Sequence, residues 1–130
     1  IDPKRARALH GLARAQARRP FLRPDACTAE VRARLLRIPG IGPWTAGMIL
    51  GYAYGDPDVV PVGDLHLPSL VTSALTGESD GTDERMLELL EPYRGHRFRV
   101  IRLLLWAMRR APHVLARHGA QDQALRAEFP

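Results

Sequence analysis

The fold is decided by residues 35–66, LLRIPGIGPWTAGMILGYAYGDPDVVPVGDLH. Two glycines separated by one residue, Gly40 and Gly42, indicate a tight turn that needs positive φ or the close approach of another backbone. Pro43 then stands where a first helical residue is expected, because the amide that proline lacks would have no partner there. The pattern predicts a hairpin over residues 36–45 that joins two helices.

This predicted hairpin is a candidate anion site. The amides of Gly40, Gly42 and Thr45 are expected to point outward at the start of the second helix. Such amides, together with the helix dipole, favour an anion, and phosphate is the natural one.

A loop rich in Pro, Gly and Asp follows the second helix and leads to Asp64. Asp64 directly precedes an apolar run, which we predict to be a helix from Leu65 to Leu75. An aspartate before such a run is a good N-cap, which is the ordinary structural explanation. A catalytic role is the alternative, and the two roles are compatible because a capping carboxylate stays ionised near the helix dipole.

The two motifs L-x-x-I-P-G-I-G-P-W-T-A and V-P-V-G-D-L-H together resemble the helix-hairpin-helix–Gly/Pro/Asp signature of DNA glycosylases, most closely the 3-methyladenine DNA glycosylase II branch. The resemblance covers most of residues 1–110 and implies an all-α helical bundle, with residues 56–64 as the catalytic loop. That family normally carries a further N-terminal portion, so we expect this chain to be its C-terminal part, with a domain incomplete at the N-terminus. Residues 111–130 form a tail that is uninformative about function.

The resemblance implies base-excision repair: hydrolysis of the N-glycosidic bond of damaged, alkylated purines in double-stranded DNA. Asp64 matches the family's essential carboxylate, which would stabilise the developing sugar cation, activate water, or do both. The target base must leave the duplex before Asp64 can reach its sugar. The alternatives are a non-enzymatic helix-hairpin-helix DNA-binding module, which needs no acid at this position, and an inactive fragment.

Strand cleavage is not expected. Family members that are also lyases carry a lysine two residues after the second hairpin glycine, where this chain has Trp44. Lys4 is the only lysine in the chain, so a Schiff base with the sugar has no suitable amine. We therefore predict a monofunctional glycosylase.

Three residues are candidates for the wall of a base pocket: Met48, His66 and Trp106. Each also has an ordinary explanation, as core filler, as a solvent-facing residue in a first helical turn, and as an aromatic ring packed under a loop. Tyr52 and Tyr54 are expected in the core or in the pocket wall. The Met48 position often holds tyrosine in the family, which leaves the substrate range open.

Around the phosphate site, we expect Pro39, Ile41 and Trp44 to contact the DNA strand. By resemblance, the main-chain carbonyls of Leu36, Ile38 and Ile41 would hold a structural Na⁺ or K⁺ ion. No other cofactor is expected. The single cysteine excludes an intramolecular disulfide and a four-cysteine iron–sulfur cluster.

Composition agrees with an acidic partner. The chain has 130 residues, a net charge of +5 and 18 arginines. This arginine content has a second explanation in genomic base composition, and the basic helix over residues 4–18 is either a solvated surface or a DNA contact. No apolar run is long enough for a membrane span, so we expect a cytoplasmic protein, associated with the nucleoid in a prokaryote. We also expect a monomer.

Helix starts are predicted from capping residues. Asp2 followed by Pro3 marks the first, Thr28 the second and Thr82 a later one. The last long helix, residues 97–110, shows an apolar face and an arginine-rich face.

Overall fold

The computed structural model describes residues 2–110, and all of the regular structure in these residues is helical. They form six α-helices and one 3₁₀ turn, with no strand among them. In chain order the elements are α1 Pro3–Arg18, α2 Thr28–Leu35, α3 Pro43–Ala53, α4 Leu67–Thr76, α5 Asp83–Leu90, the 3₁₀ turn Glu91–Tyr93 and α6 Arg97–Arg110. The predicted all-α class is therefore confirmed for these residues. The predicted tail, 111–130, lies outside them.

The chain divides into two compact units, with the boundary between Gly63 and Asp64. The first unit contains α1, α2, the hairpin and α3, and the second contains α4, α5 and α6. A glycosylase domain over residues 1–110 followed by a tail stays a prediction. None of the helices in residues 2–110 has the length and apolar character needed to cross a membrane.

Helix α1 begins as its sequence predicts. The Asp2 carboxylate accepts a hydrogen bond from the Lys4 amide at 3.0 Å, and Pro3 occupies the first helical position. No side chain of α1 is fully buried. Its apolar edge, which includes Ala8 and Leu12, packs against the core of the first unit, so α1 is a surface helix that is attached along one side.

The core of the first unit is built from α2, the hairpin and α3. Its buried members are Phe21, Val31, Leu35, Ile38, Ile41, Ala46 and Leu50. Two of these residues, Ile38 and Ile41, belong to the hairpin itself, so the turn is held by the same apolar cluster that joins the two helices.

The extended segment after α3 packs closely on that helix at Gly47. A Cβ atom added to Gly47 would lie 2.8 Å from the Cα of Pro61, nearer than side-chain and backbone carbons approach each other. Glycine at this position therefore allows the apolar loop to lie directly on α3.

The second unit has a separate apolar cluster between its three helices. Buried residues from α4, α5 and α6 form it: Leu67, Val71, Met86, Leu90, Phe98 and Ile101. Gly77 ends α4 in the left-handed conformation, with φ +79°. Thr82 caps α5 by accepting a hydrogen bond from the Arg85 amide at 3.2 Å, as predicted.

Two predicted helix starts are wrong by one or two residues. α2 begins at Thr28 itself, and Cys27 is its N-cap residue without a side-chain hydrogen bond. α4 begins at Leu67 instead of Leu65, because the Asp64 carboxylate binds amides two and three residues further along the chain.

The two tyrosines of the α3 region differ from each other. Tyr52 is 56 % exposed, so the core alternative is wrong for it, and a place in a pocket wall stays a prediction. It lies on the side of α3 away from Ala46 and Leu50. Tyr54 packs against the core, as predicted, and burial raises the pKa of its phenol.

Candidate functional site

The hairpin is closed by a β-turn over residues 38–41. The Ile41 amide donates a hydrogen bond to the Ile38 carbonyl at 3.0 Å, and Gly40 has φ +90°. Proline at the second position and a positive-φ glycine at the third are typical of a type II turn. Because Ile38 and Ile41 are each only 7 % exposed, both ends of the turn are anchored in the core of the first unit.

Three amides at the end of this turn have no internal acceptor. Gly42 precedes α3 with extended backbone, and the first helical hydrogen bond runs from the Ala46 amide to the Gly42 carbonyl at 3.0 Å. The Thr45 amide therefore lies before the first bonded turn. Within residues 2–110, the amides of Gly40, Gly42 and Thr45 donate no hydrogen bond. The structure thus brings these three predicted phosphate ligands together on one hairpin, and phosphate binding itself stays a prediction.

The three predicted strand-contact residues present different groups to the surface. Pro39 is exposed and Trp44 is 41 % exposed, so both side chains reach solvent. The Ile41 side chain is buried, so this residue offers only main-chain atoms to a partner.

The candidate cation site consists of main-chain carbonyls along the same hairpin. The Ile38 carbonyl accepts the Ile41 amide and keeps one lone pair, while those of Leu36 and Ile41 accept no hydrogen bond within residues 2–110. These oxygens are chemically suited to a monovalent cation, and that site also stays a prediction. Among the described residues, no group of three or more His, Cys, Asp or Glu side chains is placed to bind a metal.

Asp64 is the first residue of the second unit and is half-buried. Its Oδ1 atom accepts hydrogen bonds from the amides of His66 at 2.8 Å and Leu67 at 2.9 Å. These amides are at the start of α4, where helical donors lack partners within the helix. The N-cap residue of α4 is His66, so the predicted N-cap position of Asp64 is wrong by two residues. The Asp64 carboxylate nevertheless accepts two amides at the start of the helix, and these bonds hold one oxygen of the candidate catalytic carboxylate in a fixed position.

Asp56, which lies in the first unit, has a structural explanation. Asp56 accepts hydrogen bonds from the amides of Asp58 at 2.9 Å and Val59 at 3.1 Å, so its side chain holds the turn that ends α3. A turn role of this kind is common for aspartate and needs no catalytic function.

The pocket candidates are distributed over both units. Met48 is half-buried in α3 of the first unit. The His66 side chain is exposed, and its amide is bonded to Asp64. Trp106 is 56 % exposed on α6, beside an open groove of about 490 Å³, with the Arg110 guanidinium 5.1 Å from its ring centroid. A role for any of the three in binding a base stays a prediction.

The described residues thus contain a helix-hairpin-helix element and, further along the chain, an aspartate whose carboxylate accepts two amides at the start of α4. The chain is 38 % identical over 68 residues to the "probable bifunctional transcriptional activator/DNA repair enzyme AlkA" of Mycobacterium tuberculosis, strain CDC 1551 / Oshkosh. The protein of the same name from strain ATCC 25618 / H37Rv matches equally.

The matched region is 52 % of this chain and 14 % of each relative, so the chain spans only a small part of their length. No family model matches the chain. No solved structure matches it either. The resemblance to the 3-methyladenine DNA glycosylase II branch is thus confirmed as partial homology, and both relatives are named as DNA repair enzymes.

Proposed function

We propose that this chain acts as a DNA glycosylase of base-excision repair, which hydrolyses the N-glycosidic bond of alkylated purines in duplex DNA. The observation that carries the proposal is Asp64, whose carboxylate is held by two amides at the position where the glycosylase signature has its acid. Partial homology to DNA repair enzymes supports the same function.

The hairpin would hold the DNA strand through one backbone phosphate. The amides of Gly40, Gly42 and Thr45 supply hydrogen-bond donors, and the start of α3 supplies the positive end of a helix dipole. Main-chain donors bind phosphate irrespective of base sequence. This suits an enzyme that must find damage in any sequence context.

Asp64 would act on the sugar of the damaged nucleotide. The bond between C1′ and the base nitrogen breaks, the base leaves with the electron pair, and positive charge develops on the deoxyribose. A carboxylate stabilises that charge, and it can also accept the proton of the water that attacks C1′. An alkylated purine already carries positive charge, so it leaves with little acid assistance.

The reaction would stop after base release, with the DNA strand intact. Trp44 occupies the position where the lyase members of the superfamily have their lysine. Lys4, the only lysine, is an exposed residue in the first turn of α1. Imine formation needs an amine of depressed pKa close to the sugar. Borohydride treatment of a reacting mixture should therefore trap no covalent protein–DNA complex.

The direct test measures base release from a panel of duplexes that contain alkylated purines, hypoxanthine, uracil or 8-oxoguanine, with strand nicking scored separately. We expect release from the alkylated purines and no nicking without heat or alkali. Binding to duplex without release from any substrate would favour a non-enzymatic module. Activity restored only in a longer chain would identify an inactive fragment.

A further inference from the structure

A groove of about 1060 Å³ runs between α1 and the hairpin within the first unit. One wall is a face of α1, and the other is formed by residues 37–40 of the hairpin. Five cationic side chains line this groove, and all five are exposed: Lys4, Arg7, Arg14, Arg18 and Arg37. No acidic side chain is among its lining residues. We call it the basic groove.

Small residues fix the position of α1 against the hairpin. A Cβ atom added to Gly40 would lie 3.1 Å from the Cβ of Ala8, and one added to Gly11 would lie 3.1 Å from Cγ2 of Ile38. The helix and the turn are therefore nearly in contact at these two points. As a result, the cations of α1 lie beside the same turn that presents the Gly40 and Gly42 amides.

The charges of the basic groove are not neutralised internally. Within residues 2–110, none of its five cations forms an ion pair, and α1 contains no Asp or Glu. Elsewhere in the chain, arginines pair with neighbouring acids: Arg23 with Asp25, Arg34 with Glu30, Arg85 with Glu78 and Glu88, and Arg94 with Glu91. The basic groove therefore has a strongly positive potential, whereas several other arginines of the chain are neutralised by neighbouring acids.

The spacing of the helical cations suits a row of phosphates. Positions 4, 7, 14 and 18 follow one face of a helix, with Gly11 between them. At 1.5 Å per residue the row from Lys4 to Arg18 is about 21 Å long. Along one strand of duplex DNA, that length contains about six phosphates.

We infer that the basic groove binds the sugar–phosphate backbone of DNA next to the phosphate held by the hairpin. The inference rests on the proposed function for the presence of DNA at the hairpin, and it adds a second contact surface from α1. Binding there is ionic and independent of base sequence, so it increases affinity for duplex without selecting the lesion.

The test compares two double variants of the 130-residue chain with equal loss of charge. Arg14→Gln with Arg18→Gln removes two cations from the basic groove. Arg5→Gln with Arg32→Gln removes two exposed arginines that do not line it. Dissociation constants for a labelled duplex with a stable abasic-site analogue are measured between about 50 and 200 mM salt, and base release from alkylated duplex is measured in parallel.

We expect the groove variant to reduce the slope of log affinity against log salt by about 1.8, because each lost phosphate contact contributes about 0.9. The ratio of wild-type affinity to variant affinity for the duplex then falls about 12-fold between the lowest and the highest salt concentration. The control variant should keep a slope close to that of the wild type. Equal slopes for the two variants would overturn the inference.

Failure of the groove inference and failure of the proposed function are distinguishable. Base release by the wild type, with equal salt slopes for both variants, would support the glycosylase function and contradict only DNA binding by the basic groove. A groove-specific slope change without base release from any substrate would support the groove on a DNA-binding protein that is not a glycosylase. The exposed positions of all four arginines keep the substitutions away from the core, and circular dichroism checks the fold.

Discussion

The substitution Asp64→Asn separates the two roles of this residue. Asparagine keeps a side-chain oxygen that can accept the hydrogen bonds now made to the His66 and Leu67 amides at 2.8 and 2.9 Å. Asparagine is also as good a helix cap as aspartate. What the substitution removes is the negative charge, on which stabilisation of a sugar cation depends.

Substitution of Asp64 should have a small effect on folding stability and a large effect on the rate of base release. For Asp64→Asn, loss of the charge at the start of α4 should cost about 0.3–1 kcal/mol of folding free energy. Asp64→Ala also loses both hydrogen bonds at the start of α4 and should cost about 0.5–2 kcal/mol, a loss like that of a capping side chain. Base release, in contrast, should fall by about 100-fold or more in both variants, because the carboxylate is the group that assists bond cleavage.

Single-turnover base release from a duplex with one alkylated purine measures the activity, and thermal melting measures the stability. Asp2→Asn is the matched control, because the Asp2 carboxylate also accepts an amide at the start of a helix and has no proposed catalytic role. It should leave the rate unchanged. An Asp64→Asn protein that binds duplex and releases base at the wild-type rate would refute the mechanism.

Three further predictions concern packing, the turn and pH. Gly47→Ala would place a Cβ 2.8 Å from the Pro61 Cα and should cost about 1–3 kcal/mol in denaturant unfolding. Gly42→Ala, whose Cβ meets nothing within 4 Å, should cost less, and equal losses would contradict this packing argument. Gly40→Ala would put alanine at φ +90°, so about 1–3 kcal/mol of stability should be lost, together with affinity for duplex in a fluorescence titration. Hydrogen bonds, first from its own amide, lower the pKa of Glu84 below its usual 4.5, so the stability that it contributes is present at neutral pH and lost as the pH falls below that value. Glu84→Gln should therefore lower the melting temperature at neutral pH but not in strong acid, and an equal effect at both would show that the charge is irrelevant.

Local signals in the sequence predicted much of the fold. Asp2 followed by Pro3, Gly42 followed by Pro43, and Thr82 each mark a helix start that the structure contains, because capping depends on a few adjacent residues. The apolar periodicity of α6 likewise predicted its buried face. These features need no knowledge of distant contacts.

Features that depend on which other part of the chain packs against a helix were harder to predict. The exposure of Tyr52 was not predicted, because nothing in its own sequence neighbourhood indicates which side of α3 will be covered. α4 begins at Leu67 and not at the predicted Leu65, because the side chain of Asp64 accepts hydrogen bonds from the His66 and Leu67 amides.

In the candidate site, too, features set by adjacent residues were predicted, and features set by contacts between distant residues were not. Motif spacing identified Asp64 and the hairpin amides by residue type. The basic groove was not predicted as a site, since it depends on the contact of Gly11 with the hairpin. The sequence alone left α1 open as either a solvated helix or a DNA contact.

The type II turn of the hairpin also has a thermodynamic consequence. Pro39 restricts its own φ, Gly40 is already at φ +90°, and the turn is closed by a backbone hydrogen bond. Ordering a flexible loop costs roughly 1–2 kcal/mol per residue, and here that cost falls on folding instead of on association. Phosphate binding at this turn should therefore show little loss of conformational entropy in calorimetry. The turn can bind and release successive phosphates without reordering its backbone each time.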